Sequence, residues 1–337
     1  MKLISRLTAV AAALMMMGGG AVAASKVTLA IGGASCLCYL PTVLAKQIGA
    51  YEKAGVDVNL VDFKGGSQSL TAVLGGSADV VSGYFDHTVE LAAKKQHLEA
   101  FVIYDRYPGL VLVVSPKDTG KIKSVKDLAG KKVGVSAPGS STDFFLKYQL
   151  VKAGLKKDSA AVIGVGLGAT AIAAMEQGQI DAAVMLDPAV TVLQNKYKDL
   201  TLLADTRTQK DTERVFGGDY PGGAFYTRPE WIKAHPEETQ ALTNAMVATL
   251  KWIHSHSAQE VMDKMPPNLV GADKASYLAA LKNTIPMYST TGLMDPKGAE
   301  AVLDVFKIGS PDVAKAKIDI TKTYTNAFVE KADKAEK

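Results

Sequence analysis

The sequence has little cysteine and little tryptophan, two of each in 337 residues, and aromatic residues make up only 7% of it. Two cysteines fall short of the four ligands a zinc site normally needs, and no second Cys/His cluster stands elsewhere in the sequence. Charge of one sign is scarce as well: the formal net charge is +4, and no run of five or more basic residues occurs. Nucleic-acid binding therefore has no support. No Ser/His/Asp set and no G-x-S-x-G element stands out, so no catalytic residue is expected and the chain is not read as an enzyme. No cofactor or metal site is expected either. Past the N-terminus, no stretch is long and apolar enough to cross a bilayer.

What is present is a large apolar fraction. Hydrophobic residues make up 47% and charged residues 21%, the balance of a globular protein with a sizeable core. At roughly 150 residues per domain, the length suggests two domains or lobes. At the N-terminus, Lys2 and Arg6 precede an apolar run over 7–17, and a small-residue segment ends in Ala21-Val22-Ala23-Ala24. That is the layout of a cleaved secretory signal peptide, residues 1–23, with cleavage after Ala23 and export of the rest. Loss of Lys2 and Arg6 lowers the formal charge to +2. An uncleaved anchor would need about 20 apolar residues, more than this run offers. Cys36 and Cys38 stand one residue apart. Pairing within C-x-C would close a small, strained ring, so two free thiols lining a loop are expected. Gly33-Ala34-Ser35-Cys36 faintly resembles a lipoprotein attachment site, but it lies past Lys26 and past the better cleavage site.

Strand, glycine turn and helix recur along the chain. Residues 27–31 form a short β-rich run before Gly32-Gly33, and Pro41 suits the first turn of a helix that Gly49 ends. Residues 56–63 alternate apolar and polar, a strand signature, and Gly65-Gly66-Ser67-Gln68 leads into a helix. Asp79-Val80-Val81 opens a third strand, and Tyr84, Phe85, Asp86 and His87 fill the turn after it. Two more strands are expected at 100–103 and 110–115, with the first crossing between lobes near 114–116. The second unit repeats the plan. A strand at 133–136 is followed by a Pro138-Gly139 turn, and Ser140, Ser141 and Thr142 precede a helix over 144–152. A strand at 161–165, a turn at 166–170, a helix stopped by Gly178 and a buried strand at 180–185 follow, ending in Leu186-Asp187-Pro188. Residues 200–204 form another strand, 205–219 read as irregular, and 222–227 as the strand that returns to the first lobe. From Pro229 onward the pattern is helical. The limits are then 24–114 and 222–337 for the first lobe and 115–221 for the second.

Strands alternating with helices give an α/β class with a mostly parallel sheet in each lobe. Such sheets bind ligands at the carboxyl ends of their strands, where these turns lie. The turn before 144–152 adds free N–H groups, the positive end of a helix dipole and three hydroxyls, which suit a small anion or polar group.

The order of these segments resembles a known family. Gly49-Ala50-Tyr51-Glu52-Lys53-Ala54-Gly55-Val56-Asp57-Val58, Gly65-Gly66-Ser67-Gln68 and Gly75-Gly76-Ser77-Ala78-Asp79-Val80 are similar to the first lobe of periplasmic solute-binding proteins of ABC importers, of the nitrate/sulfonate/taurine type. Asp127-Leu128-Ala129-Gly130-Lys131-Lys132-Val133-Gly134-Val135 and Gly178-Gln179-Ile180-Asp181-Ala182 are similar to the second lobe. The resemblance implies the two-lobed type II periplasmic-binding-protein fold, with two hinge crossings and closure on a ligand like a clamp. It also implies a periplasmic protein, expected as a monomer, that binds a small organic anion such as a sulfonate or carboxylate. Its partner would be an ABC permease in the inner membrane. Binders of thiamine-pyrimidine precursors, and related pyrimidine synthases with a cysteine-rich iron site, are the alternatives. Carried over turn by turn, the ligand residues are Cys38 and Tyr39, then Ser67 and Gln68, then Tyr84, Phe85, Asp86 and His87. Ser140, Ser141 and Thr142 form the fourth turn and Asp187 the last. Tyr39, Tyr84 and Phe85 would supply apolar walls. The large third turn suits an organic ligand better than nitrate or bicarbonate.

Overall fold

The structure, a computed structural model, describes residues 25–335. The expected signal peptide, 1–23, lies outside the described residues. The strands are β1 (Ser25–Ile31), β2 (Val56–Asp62), β3 (Val80–Tyr84), β4 (Glu99–Ile103), β5 (Val111–Val114), β6 (Lys132–Val135), β7 (Ala161–Gly164), β8 (Ala182–Met185), β9 (Leu202–Asp205) and β10 (Gly223–Thr227). They form two five-stranded sheets, ordered β2-β1-β3-β10-β4 and β7-β6-β8-β5-β9. In the first, β1 runs parallel to β2 and β3, and β10 enters antiparallel between β3 and β4. In the second, β6 runs parallel to β7 and β8, and β5 enters antiparallel between β8 and β9. Each lobe thus receives, in the same fourth place, the strand that has just crossed from the other lobe.

That symmetry corrects the expected first crossing. β5 belongs wholly to the second sheet, so the chain leaves the first lobe between Ile103 and Val111, not at 114–116. The reason lies in burial. All four residues of β5 are buried, and its side chains alternate between two cores: Val111 and Val113 join the smaller cluster, Leu112 and Val114 the larger. A strand apolar on both faces needs a central position with neighbours on each side, and the second sheet supplies it. The stretch expected to be irregular also differs, because Gln209–Phe216 is a helix. Thr208 caps it by accepting from Asp211 N at 3.1 Å, and Thr212, Val215 and Phe216 face inward. Its short apolar stripe is hidden among charges, which is why the polar composition read as loop.

The helices of the C-terminal third pack back over both lobes. Pro236–Ser255 lies against Leu40–Gln47 and Ala327–Ala335 in the first lobe. Pro296–Gly309 reaches across to Ser141–Lys152 of the second, where the Phe144 and Phe306 rings stack 3.5 Å apart at 5°. Lys274–Thr284 packs on Ala189–Lys196, with Asn195 Nδ2 donating to Ser276 Oγ at 2.8 Å. The lobes are therefore closed on one another.

Candidate functional site

The turns after β1, β2 and β3 meet the turns after β6, β7 and β8 in the seam between the lobes. Glycines make the approach possible. A Cβ on Gly32 would lie 2.8 Å from Gly66 Cα, and one on Gly65 would lie 2.9 Å from Ala137 Cβ in the other lobe. Neither contact is one a real side chain tolerates, so these backbones close only because both residues are glycine.

The seam encloses a cavity of about 10 Å³, the room of roughly one water. The first lobe lines it with Gly32, Cys38, Tyr39, Gly66 and Tyr84, and the crossing chain adds Leu110. The second lobe contributes Ser136, Ser140, Ser141, Thr142, Leu167 and Leu186. No lysine or arginine is among these residues. Six of the residues expected from the sequence are thus brought together: Cys38, Tyr39, Tyr84, Ser140, Ser141 and Thr142.

Two of these carry more than expected. Ser140 and Thr142 join Ser136, at the end of β6, in a triangle of hydroxyls with edges of 2.7, 2.8 and 2.9 Å. Ser136 N donates to Thr142 Oγ1 at 2.9 Å, and Ser140 Oγ donates to Ala137 O at 2.7 Å. The oxygens are held in place from several sides; Ser140 spends its proton on Ala137 O, so Ser136 or Thr142 is the hydroxyl that can turn its proton toward a ligand oxygen. The helix behind them, Ser141–Lys152, has no side-chain cap at Ser140. The same is true of Gly66–Leu74 and Asp86–Ala93, which start on the opposite side of the seam. Their first N–H groups and dipoles remain available to an anion.

Tyr39 and Tyr84 form the aromatic wall, their rings edge to face at 6.2 Å. Tyr84 is held by its hydroxyl, which donates to Pro108 O at 2.5 Å. Burial, and then the nearby Asp105 and Asp86 carboxylates, hold the Tyr39 phenol well above its ordinary value, so it stays a neutral hydroxyl.

The remaining expected residues go elsewhere. Cys36 and Cys38 are not free thiols but a disulfide. The tight turn Leu37–Tyr39, closed by Tyr39 N donating to Cys36 O at 3.1 Å, brings their Cα atoms to 5.1 Å, within disulfide range. Phe85 turns away from the seam and packs edge to face on Tyr324, at 6.4 Å. Asp86 is fully buried and ties the lobes together: Ser141 Oγ donates to one carboxylate oxygen at 2.7 Å, and Tyr220 OH to the other at 3.0 Å. Burial raises the pKa of this carboxyl, and the neighbouring His87 and the two hydroxyl donors oppose that rise. His87 is not a solvated loop histidine. It is 2% exposed in the first turn of Asp86–Ala93, with Nδ1 2.6 Å from Tyr226 OH and Nε2 without a partner. It stands one layer behind the cavity, since a Cβ on Gly66 would touch its Cε1 at 2.9 Å.

Ser67 lies half-exposed on the seam opposite Gly139, and Gln68 folds back so that its Oε1 accepts from Lys64 N at 3.1 Å. Asp187 spends its carboxylate on its own helix. Thr191 N and Oγ1 donate to it at 2.9 and 2.8 Å, and Arg207 Nη1 sits at 3.4 Å. Its backbone carbonyl instead accepts from Leu37 N across the seam at 2.9 Å. Ser136, Gly32, Leu110, Leu167 and Leu186 were not anticipated. The rule that ligands sit at strand carboxyl ends points to Ser136 and to the 166–170 turn, but a lone serine or leucine there carries no chemical signature.

A family model described as NMT1/THI5 like matches residues 39–260. The chain belongs to this family. A curated protein of Brucella abortus (strain 2308), named as a binding protein, is 26% identical over 245 residues. That match covers 72% of this chain and 71% of the relative. A solved protein of Bordetella bronchiseptica RB50 is 40% identical, with a TM-score of 0.89 over 93% of this chain and 98% of its own. The alkanesulfonate-binding protein SsuA from Xanthomonas axonopodis pv. citri, solved with MOPS, is 19% identical. It has a TM-score of 0.69 over 90% of this chain and 98% of its own. The two-lobed architecture is therefore the periplasmic-binding-protein fold, as the α/β pattern and the resemblance implied.

Proposed function

We propose that this protein is the exported solute-binding component of an ABC uptake system. It captures a small organic anion, a sulfonate or a carboxylate, between its lobes and delivers it to a membrane permease. The observation that carries this reading is the seam itself. Uncapped helix N-termini from both lobes and the Ser136–Ser140–Thr142 hydroxyls converge on one small cavity beside Tyr39 and Tyr84. Oriented N–H and O–H donors bind an oxyanion without a buried cation, and the aromatic and leucine walls suit a carbon skeleton. Support also comes from the alkanesulfonate-binding neighbour. Closure brings both halves onto the ligand at once, so ligand binding shifts the open–closed equilibrium. Both cysteines are engaged in a disulfide, which leaves the cysteine-rich iron site of the pyrimidine synthases without a counterpart.

A thermal-shift and calorimetric panel of alkanesulfonates, carboxylates and inorganic anions tests this. A true ligand at a hundredfold excess over its Kd stabilises the folded chain by about 2.7 kcal/mol and raises Tm accordingly. No shift with any organic anion, or binding of inorganic anions alone, would overturn the reading.

A further inference from the structure

The cavity in the seam has a larger neighbour. A second cavity of about 550 Å³ opens between the lobes on its outer side, walled by Phe63 and Lys64 of the first lobe and Pro138, Val165 and Thr170 of the second. Only Ser136 and Leu167 line both spaces. Ser136 is locked into the hydroxyl triangle. Leu167 is not held in that way. It is half-buried and stands on the turn Gly166-Leu167-Gly168, whose two glycines have φ of 72° and 67°. Its Cδ1 is seated on the first lobe: a Cβ on Gly33 would lie 2.8 Å from it. Ser35 Oγ closes against Gly168 beside it, at 2.9 Å from a Cβ placed there.

We propose that Leu167 is the specificity-determining partition of this site. It separates an inner chamber for an anionic headgroup from an outer chamber for the tail, so the preferred solutes are elongated organic anions whose chain runs past Leu167. The proposal rests on the anion-binding reading above and adds the length class of the ligand. The inner chamber alone has room for about one water, so a solute must make space. Most of its walls are tied. Tyr84 is bonded to Pro108, Cys38 is in the disulfide, and the three hydroxyls brace one another. Leu110 sits in the crossing chain, where its carbonyl accepts from both Thr206 N and Thr206 Oγ1 at 2.9 Å. Leu167 needs only a rotamer change between two glycines to open the inner chamber into the outer one. Phe63, Pro138 and Val165 then offer apolar surface to an aliphatic chain, with Asp62, Lys64 and Gln68 on the walls around them.

The test measures Kd for ethanesulfonate and octanesulfonate by calorimetry, on the full mature chain and on Leu167→Ala and Leu167→Trp. Circular dichroism checks that each variant is folded. Leu167→Ala should raise the preference for the long chain over the short by about tenfold, and Leu167→Trp should lower it by a similar factor. A control on the surface, Ile308→Ala, lies away from both chambers and should leave the ratio within about twofold. If the wild-type protein binds these anions and neither Leu167 variant moves the ratio, the partition is wrong while the anion reading stands. If wild type binds neither sulfonate, the same ratio is read on propanoate and octanoate; if none of the four binds, the partition is overturned, and the panel above decides the anion reading separately.

Discussion

After β2 the first lobe enters its helix at Gly66, and after β6 the second enters its helix at Ser141. The sheets behind these two turns have the same order and the same inserted antiparallel strand. What stands on them is different. The first lobe surrounds Gly66 with Tyr39, Tyr84 and the buried His87, and keeps two buried carboxyls, Asp86 and Asp105, close by. The second lobe offers Ser136, Ser140, Ser141 and Thr142 and no titratable side chain in the cavity wall. One jaw therefore supplies shape and buried charge, and the other supplies hydrogen-bond donors. A clamp of this kind divides the work: donors in one lobe find the anion, and the aromatic lobe closes over its carbon frame.

The division is tested most strongly on the donor side. Ser140→Ala combined with Thr142→Ala removes the Thr142 hydrogen bond to a charged group, worth about 1.5–3 kcal/mol, and the Ser140 hydroxyl that braces it. Affinity should fall by at least about tenfold, and because the buried Ser136 N and hydroxyl lose their partners the unliganded Tm should fall as well. Unaltered affinity in calorimetry would return these hydroxyls to the role of a helix cap. On the shape side, Gly66→Ala pushes a methyl to 2.9 Å from the His87 ring. Overpacking of this kind costs about 1–3 kcal/mol, so Tm should drop and closure weaken together. A variant as stable as the parent would show that His87 yields freely.

The buried charges should make the first lobe sensitive to pH. Asp105 is fully buried. Its Oδ2 accepts from Gly223 N at 3.2 Å and its Oδ1 has no partner. Burial holds its carboxyl well above the usual carboxylate range. The folded chain thus keeps this proton at pH values where the unfolded chain has released it. The resulting stability is full below the unfolded value of about 3.9 and drains away as pH rises toward the folded one, by roughly 1 kcal/mol per unit. Asp105→Asn should flatten that slope in Tm measured against pH and leave the acid side unchanged. A parallel slope in both proteins would place the titration elsewhere. The smallest effect belongs to the contact that joins the jaws away from the cavity. Phe144→Ala removes the stack on Phe306, an aromatic pair worth about 0.5–1.5 kcal/mol. Ligand affinity should fall about fivefold without loss of any ligand contact, and the unliganded radius of gyration in solution scattering should rise. An unchanged radius would mean that the pair does not bias closure.

Much of the architecture was legible because it is periodic. Alternation at 56–63, glycine stops at Gly49 and Gly75, and the Ser140-Ser141-Thr142 start each report on neighbours within one turn or one pleat. Where the structure surrounds a residue differently from the sequence reading, its partner was one that apolar periodicity does not encode. Asp86 looked like a cleft charge, yet Ser141 and Tyr220 take up both its oxygens. Phe85 looked like a wall, but it packs on Tyr324 and does not line the cavity. Asp187 looked like a ligand residue, and Thr191 and Arg207 claim it. Cys36 and Cys38 looked too close to pair until the turn between them was known.

By itself, then, the sequence determined the α/β class and the strand-end turns, because apolar periodicity and glycine placement act locally, and its family resemblance implied that the turns of two lobes face each other. Only the tertiary structure decided that β5 joins the second sheet. It alone also decided that Ser136 completes the hydroxyl triangle and that Leu167 stands between two cavities. Those choices depend on which strands pair and how the turns fold against one another, and a run of apolar residues or a lone serine reads the same whichever partner it meets.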